Sequence, residues 1–291
     1  MTTDKEKAPM TEIKWLNHLQ EPKYWLLGIA SGLIILQLTL TSRTENADLF
    51  GTMFLFWGVV CFLISERHET LTLESGVFGS CFGASLIFFI LLKSSSISGY
   101  DFFIRVMPFL SGISLALLAS GTKGLKQYWQ EFLILGYTAI PPGFIGVFVD
   151  VAKLTAKFSA FLLHYLGFEV VRQGAFLILE KGSVEVNHGC SGVNAILQLL
   201  GLALVFLLMF PTTTGQKIVV PIVALLIGFI VNSARVSLLA LLVSLSQPQA
   251  FKYWHEGNGS VIFSMIAVFI FGLFCWFAIL QEPQNKKKQN C

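Results

Sequence analysis

Three polar segments interrupt an otherwise apolar chain, and each holds a side chain suited to chemistry. The first is Asn187-His188-Gly189-Cys190-Ser191-Gly192, which runs directly into an apolar stretch. A cysteine at a helix N-terminus meets unpaired N–H groups and the positive end of the helix dipole. Both favour the thiolate over a thiol of ordinary pKa, about 8.5. Gly189 and Gly192 let the backbone bend and a substrate come close. The plain alternative is a loop cysteine packed in an apolar site. The second segment is Asn232-Ser233-Ala234-Arg235, inside an apolar run. An arginine at the centre of a membrane helix costs roughly 2.5–3.5 kcal/mol on insertion scales. Asn232 and Arg235 are spaced i, i+3 and share a helix face. The alternatives are snorkelling to the headgroups or a structural ion pair with an acid from a loop. The third is Trp254-His255-Glu256-Gly257-Asn258-Gly259-Ser260. A histidine there suits proton transfer near neutrality, and Asn258 or Ser260 is placed to cap the following helix. A solvated histidine beside the membrane-anchoring pair Tyr253 and Trp254 is the alternative.

A thiol, a guanidinium and an imidazole together make an acyl-transfer set: nucleophile, oxyanion stabiliser, and general base or acid. His188, two residues before Cys190, is a rival base. His18 and His68 fall on the opposite side of the membrane in the topology below, and His164 has no motif around it. No His and acid cluster has metal-ligand spacing, and no glycine-rich loop opens a helix in a phosphate-binding pattern. Neither metal nor cofactor is expected.

The elements that position these residues follow from composition. The 291 residues are 54% hydrophobic and only 13% charged, with a mean hydropathy of +0.70. A soluble domain carries about 25% charged residues. Apolar runs long enough to cross a ~30 Å hydrocarbon core recur, so the chain reads as an all-α polytopic membrane protein. Soluble enzymes, nucleic-acid-binding domains and disulfide scaffolds are excluded. Five cysteines are too few and too scattered for a disulfide framework. Cys61, Cys81 and Cys275 lie in apolar runs and read as small hydrophobes.

Eight spans are expected, at 24–40, 47–64, 76–92, 102–119, 132–149, 191–210, 218–243 and 261–280, the fifth broken at Pro141-Pro142-Gly143. Residues 150–167 read as an amphipathic interfacial helix with Val151, Leu154, Phe158, Phe161, Leu162 and Tyr165 on its apolar face; a short tilted span is the competing reading. Residues 169–186 read as a small β-meander, with turns at Gln173-Gly174 and Lys181-Gly182. The organisation is thus a tail at 1–23, a membrane bundle at 24–149, an interfacial helix and meander at 150–189, a core at 190–280 and a basic tail at 281–291.

Lys and Arg set the orientation. With both termini inside, the inner segments hold eleven basic residues and the short outer loops four. Both tails are then cytoplasmic, and Cys190, Arg235 and His255 all reach the extracytoplasmic face from consecutive spans.

At Cys190-Ser191-Gly192, Asn232-Ser233-Ala234-Arg235-Val236, and His255 with Gly259, the sequence resembles the exosortase/archaeosortase family of membrane transpeptidases. The stretch 253–260 looks most like its cyanobacterial branch, cyanoexosortase of the A type. The likeness is strong over 182–280, while the first 130 residues share only hydropathy. It implies a cysteine peptidase that cleaves the C-terminal sorting signal of exported proteins: a Pro-Glu-Pro-type motif, a transmembrane helix and a basic cluster. By the same likeness Cys190 forms a thioester, Arg235 stabilises the oxyanion or holds the motif's acid, and His255 exchanges the proton. Asn232, Ser191, Gly192, His188 and Gly259 would support them. The second nucleophile would release the product, onto a surface anchor or to water. Partners are then exported signal-bearing proteins and membrane lipid, with no nucleic acid. His188-Gly189 departs from the small or apolar pair expected before the cysteine, which keeps both histidines as candidate bases. Two other readings stand beside this one. One is a transporter or channel with Arg235 as an anion site. The other is a membrane acyltransferase that uses His255.

Overall fold

The computed structural model describes residues 21–280 apart from 45, 188 and 256. The tails at 1–20 and 281–291, and with them the Lys triplet, lie outside the described residues. The chain is mostly helical, and among the described residues six stretches are long and apolar enough to cross a membrane: Pro22–Ser42, Ala47–Arg67, Val77–Ser95, Phe103–Tyr137, Thr214–Ser244 and Gly259–Ile279. It is a multi-pass membrane protein. Two compact units divide it, one of residues up to 45 and 60–139, the other of 46–59 and 140–291.

The first unit is built around α4 (Phe103–Gly124), which packs against α1 (Pro22–Ser42) and α3 (Val77–Ser95). Leu33, Leu40, Ile90, Ile104 and Met107 form its apolar centre. Small residues bring α3 and α4 close: a β-carbon on Gly83 would stand 2.8 Å from the Ser114 carbonyl oxygen, and one on Gly79 2.8 Å from Gly121 Cα. Without a hydrophobic drive between helices in lipid, such close approach is what holds them. At Gly121 (φ +61°) α4 ends its regular course, and a 3₁₀ turn (Leu125–Tyr128) leads into α5 (Trp129–Tyr137). The long apolar stretch Phe103–Tyr137 therefore doubles back. Thr138 Oγ1 donates to the Arg105 carbonyl at 2.8 Å, and Phe132 packs edge-on to Phe109. Near the turn, the Arg67 guanidinium at the end of α2 (Ala47–Arg67) pairs with Glu131, which is only 3% exposed. It also donates to the carbonyls of Gln127 and Leu63.

The expected fifth span is two short helices, α5 and α6 (Gly143–Phe148), with a turn between them at Pro141-Pro142. Proline removes a backbone donor and the residue before it avoids helical geometry, so two in succession stop α5.

The second unit is organised by α9 (Thr214–Ser244), which touches α8 (Val193–Met209), α7 (Val151–Tyr165), α10 (Pro248–His255), α11 (Asn258–Cys275) and strand β3. A capping box of Thr213 and Gln216 starts α9. Its 31 residues make a rod about 46 Å long. Leu199, Ala203, Val220, Ala224, Ala267 and Phe271 fill the space between α8, α9 and α11. The meander forms as expected: β1 (Val170–Gln173), β2 (Phe176–Leu179) and β3 (Gly182–Glu185), antiparallel in the order β1-β2-β3. Gly174, at φ +63°, makes the first turn.

Helix α7 has 15 residues, about 22 Å, shorter than the hydrocarbon core. Its protein-facing side is largely distinct from the apolar stripe that the sequence assigns to the interface. Val151, Thr155, Ala156, Ser159 and Leu163 face inward, while Leu154, Phe161 and Tyr165 are exposed. Small and hydroxyl side chains make the protein contact because they admit close packing and hydrogen bonds to neighbouring backbone. Ser159 Oγ donates to the Ser233 carbonyl at 2.9 Å, and Thr155 Oγ1 to the Ser191 carbonyl at 2.7 Å. The large apolar groups are left for lipid.

Candidate active site

Cys190 lies in the turn between the meander and α8, three residues before the first helical residue, Val193. Its backbone N–H donates to the carbonyl and to Oδ1 of Asn187, both at 3.1 Å. The side chain is 8% exposed and packs with Leu177 and Leu179 of β2, Val186, and Val236 and Ala240 of α9. The meander is therefore part of the wall that holds the thiol.

Gly192 ends this turn in the left-handed region, at φ +92°. A β-carbon there would stand 2.7 Å from Asn232 Nδ2. Its absence lets Asn232, buried on α9, reach over and donate from Nδ2 to the Cys190 carbonyl at 2.9 Å. Gly192 thus serves the approach of a neighbouring side chain.

His255 is the last residue of α10, an eight-residue helix opened by Pro248, a residue suited to the first helical position. Phe251, one turn earlier, stacks on the imidazole with ring centroids 5.1 Å apart and planes 17° apart. The final carbonyls of a helix have no intrahelical partner. Here Arg235 supplies donors: Nη2 to the His255 carbonyl at 2.7 Å, and Nε to the Trp254 carbonyl at 3.4 Å. A cation at a helix C-terminus is also favoured by the dipole.

These supports bring Cys190 Sγ and His255 Nε2 to 2.9 Å, within reach for proton transfer between thiol and imidazole. Both atoms' residues line a cavity of about 230 Å³, with β3, Val236 and Leu239 of α9, and Phe251 completing its walls. Glu185 and Asn187 are its polar wall residues besides Ser183 and the pair itself. Arg235 is half-buried and is not part of that lining.

Of the residues singled out from sequence, Cys190, Ser191, Gly192, Asn232, Arg235 and His255 converge. His188 lies outside the described residues. Gly259 belongs to the corner between α10 and α11, where a β-carbon would stand 2.7 Å from the Trp254 ring; one on Gly257 would stand 2.8 Å from the Tyr253 carbonyl oxygen. These glycines make room for the chain's own backbone and indole. Position 257, with no side-chain cap, is the N-cap of α11, so the capping expected of Asn258 or Ser260 is not the arrangement found. Sequence reading missed Asn187, Phe251, Thr155 and Ser159. Phe251 alone left a signal, its i, i+4 spacing from His255. Among the described residues no set of three His, Cys, Asp or Glu side chains converges as for a metal ion.

No curated protein and no solved structure matches the chain. The family model for transmembrane exosortases does match, over residues 20–272. That range takes in nearly all the helices and every member of the site, and the chain belongs to the transmembrane exosortase family.

Proposed function

We propose that the chain is a membrane cysteine transpeptidase or protease that cleaves C-terminal sorting signals of exported proteins. The family is generally linked to such processing. The observation that carries the reading to these residues is the 2.9 Å contact of Cys190 Sγ with His255 Nε2 at the wall of a cavity. In the proposed reaction His255 takes the thiol proton and the sulfur attacks the peptide carbonyl. The tetrahedral adduct collapses with breakage of the C–N bond, and the leaving amine takes the proton from His255. A thioester on Cys190 remains. An amine or water then attacks it, and the thiol is restored. A transporter would leave a thiol–imidazole contact without a role, and a His255-dependent acyltransferase would leave the sulfur without one.

The finer features belong to the same proposal. The signal is a Pro-Glu-Pro-type motif followed by a helix and a basic cluster, as the cyanoexosortase likeness implies. The chain crosses the membrane eight times, as its hydropathy leads one to expect: α4 and the five other long apolar stretches make six crossings, and the 17-residue α8 and the broken segment at 132–149 make the other two. Both termini are cytoplasmic in the inner membrane and the site faces outward, in keeping with the Lys and Arg distribution.

The test is co-expression with a reporter that ends in such a signal, read as a size shift on a blot. Wild type is expected to give the shift, while Cys190→Ala and His255→Ala lose it by at least about a thousandfold in rate. Processing that survives Cys190→Ala removes the thiol mechanism.

A further inference from the structure

One face of α9 touches both halves of the Cys190–His255 pair, and in each case it grips the backbone. Asn232 Nδ2 holds the Cys190 carbonyl at 2.9 Å. Arg235, three residues on, holds the His255 carbonyl at 2.7 Å. Residues spaced i, i+3 lie on one side of a helix, about 4.5 Å apart along its axis. A rigid helix thus fixes the separation of two carbonyls that belong to segments 65 residues apart in the chain. Neither segment is regular enough to do this alone. Cys190 sits in a turn, and His255 ends a helix of eight residues. Among the described residues no carboxylate lies within ion-pair distance of Arg235. Two of its nitrogens are committed to the end of α10, and the residue is absent from the cavity wall.

We propose that Asn232 and Arg235 are positioning residues, a two-pronged holder on α9 that sets the distance and alignment of Cys190 Sγ and His255 Nε2. This rests on reading Cys190 and His255 as the reacting pair. It gives Arg235 a task before substrate arrives, distinct from contact with an oxyanion or an acidic substrate residue. Gly192 belongs to the same device, because its missing β-carbon is what admits Asn232.

The experiment measures alkylation of Cys190 by iodoacetamide between pH 5 and 9, with no substrate present. The full chain is held in lipid nanodiscs and the modified peptide is quantified by mass spectrometry. Cys275, buried on α11, reports in the same samples whether the fold is intact. His255→Ala is expected to slow alkylation at pH 7 about tenfold, the change that follows when a thiol titrates one pH unit higher. Arg235→Ala and Asn232→Asp are expected to move the pH profile most of the way to that of His255→Ala with Cys275 still protected. Arg235→Lys, with one nitrogen in place of the fork, is expected to fall between. If Arg235→Ala and Asn232→Asp keep the wild-type profile while reporter processing is lost, the two residues act on substrate and the holder is overturned. If His255→Ala itself keeps the wild-type profile, the reacting pair is wrong and the holder falls with it. Should Arg235→Ala expose Cys275, Arg235→Lys decides: an intermediate profile supports the holder, and a wild-type profile overturns it.

Discussion

Arg67 and Arg235 are both set among apolar helices, one in each compact unit, and they are held in different ways. Arg67 meets Glu131, a buried carboxylate, and two carbonyls near the turn that ends α4. Among the described residues Arg235 meets carbonyls alone, those that end the helix bearing His255. The first arrangement neutralises a buried acid. The second sets a positive charge against the carbonyls at a helix end and so fixes the residue proposed to react. An arginine in a membrane helix is a pointer to function only after its partner is known: the ion pair is explained by the fold, and the carbonyl clamp is explained by what the clamped segment does.

That contrast can be broken. Arg67→Ala strands the Glu131 charge, and is expected to cost about 3 kcal/mol of stability, read as a lower Tm in nanodiscs. Processing per folded molecule should persist. Arg67→Met with Glu131→Leu should recover most of the loss, since a buried pair replaced by apolar groups is often neutral. A double variant as unstable as the single one would show that the carbonyl contacts, and not the ion pair, dominate at Arg67.

The next effect is smaller in stability and sharper in function. Gly192→Ala puts a side chain at φ +92° and against Asn232, an expected cost of about 2 kcal/mol. Asn232 can yield, so the fold should survive while reporter processing falls steeply. Equal losses of Tm and processing to those of an ordinary helix glycine such as Gly215, which has open space around it, would remove the special role of this turn.

The smallest effect lies in an exposed ion pair of the first unit. Asp101 accepts from the Phe103 N–H at 2.8 Å and pairs with Lys93 at 3.2 Å. Those two contacts hold its carboxyl below the ordinary value of 3.8. A lowered folded value means that its stabilisation is present above the ordinary carboxylate range and is lost as pH falls through the folded value. The Tm of wild type should therefore slightly exceed that of Asp101→Asn at pH 6 and converge on it in acid. A Tm difference that persists unchanged at pH 3 would contradict this.

Much of this architecture was legible in the sequence for stated reasons. The meander was readable because Gly174 and the Lys181-Gly182 pair punctuate a run of β-branched and aromatic residues. Cys190, Arg235 and His255 were readable as polar residues in costly places. What could not be read was which atom each would touch. Hydropathy showed the apolar stripe of α7 that lipid takes, but not that Thr155 and Ser159, on its other face, bond to the protein's backbone. A sequence does not show that Trp254 folds back over Gly259 either. The hold of Asn232 on a carbonyl depends on Gly192 being left-handed, a backbone state that composition alone does not fix.

The length of α9 has a consequence for where water can be. A rod of about 46 Å is half again as long as the hydrocarbon slab of about 30 Å is thick. Held upright and centred, it stands proud by roughly 8 Å at each end, and tilting shortens that overhang. Arg235 lies nine residues before Ser244, about 14 Å from that end. This puts its guanidinium within side-chain reach of the headgroup boundary. At that depth a pocket is amphibious. A chain still embedded in the bilayer can slide to it sideways, while hydrating water reaches it from above. In the proposed reaction, the competition between an amine and water for the acyl group is then governed by how wet the boundary is, a property of the lipid as much as of the protein.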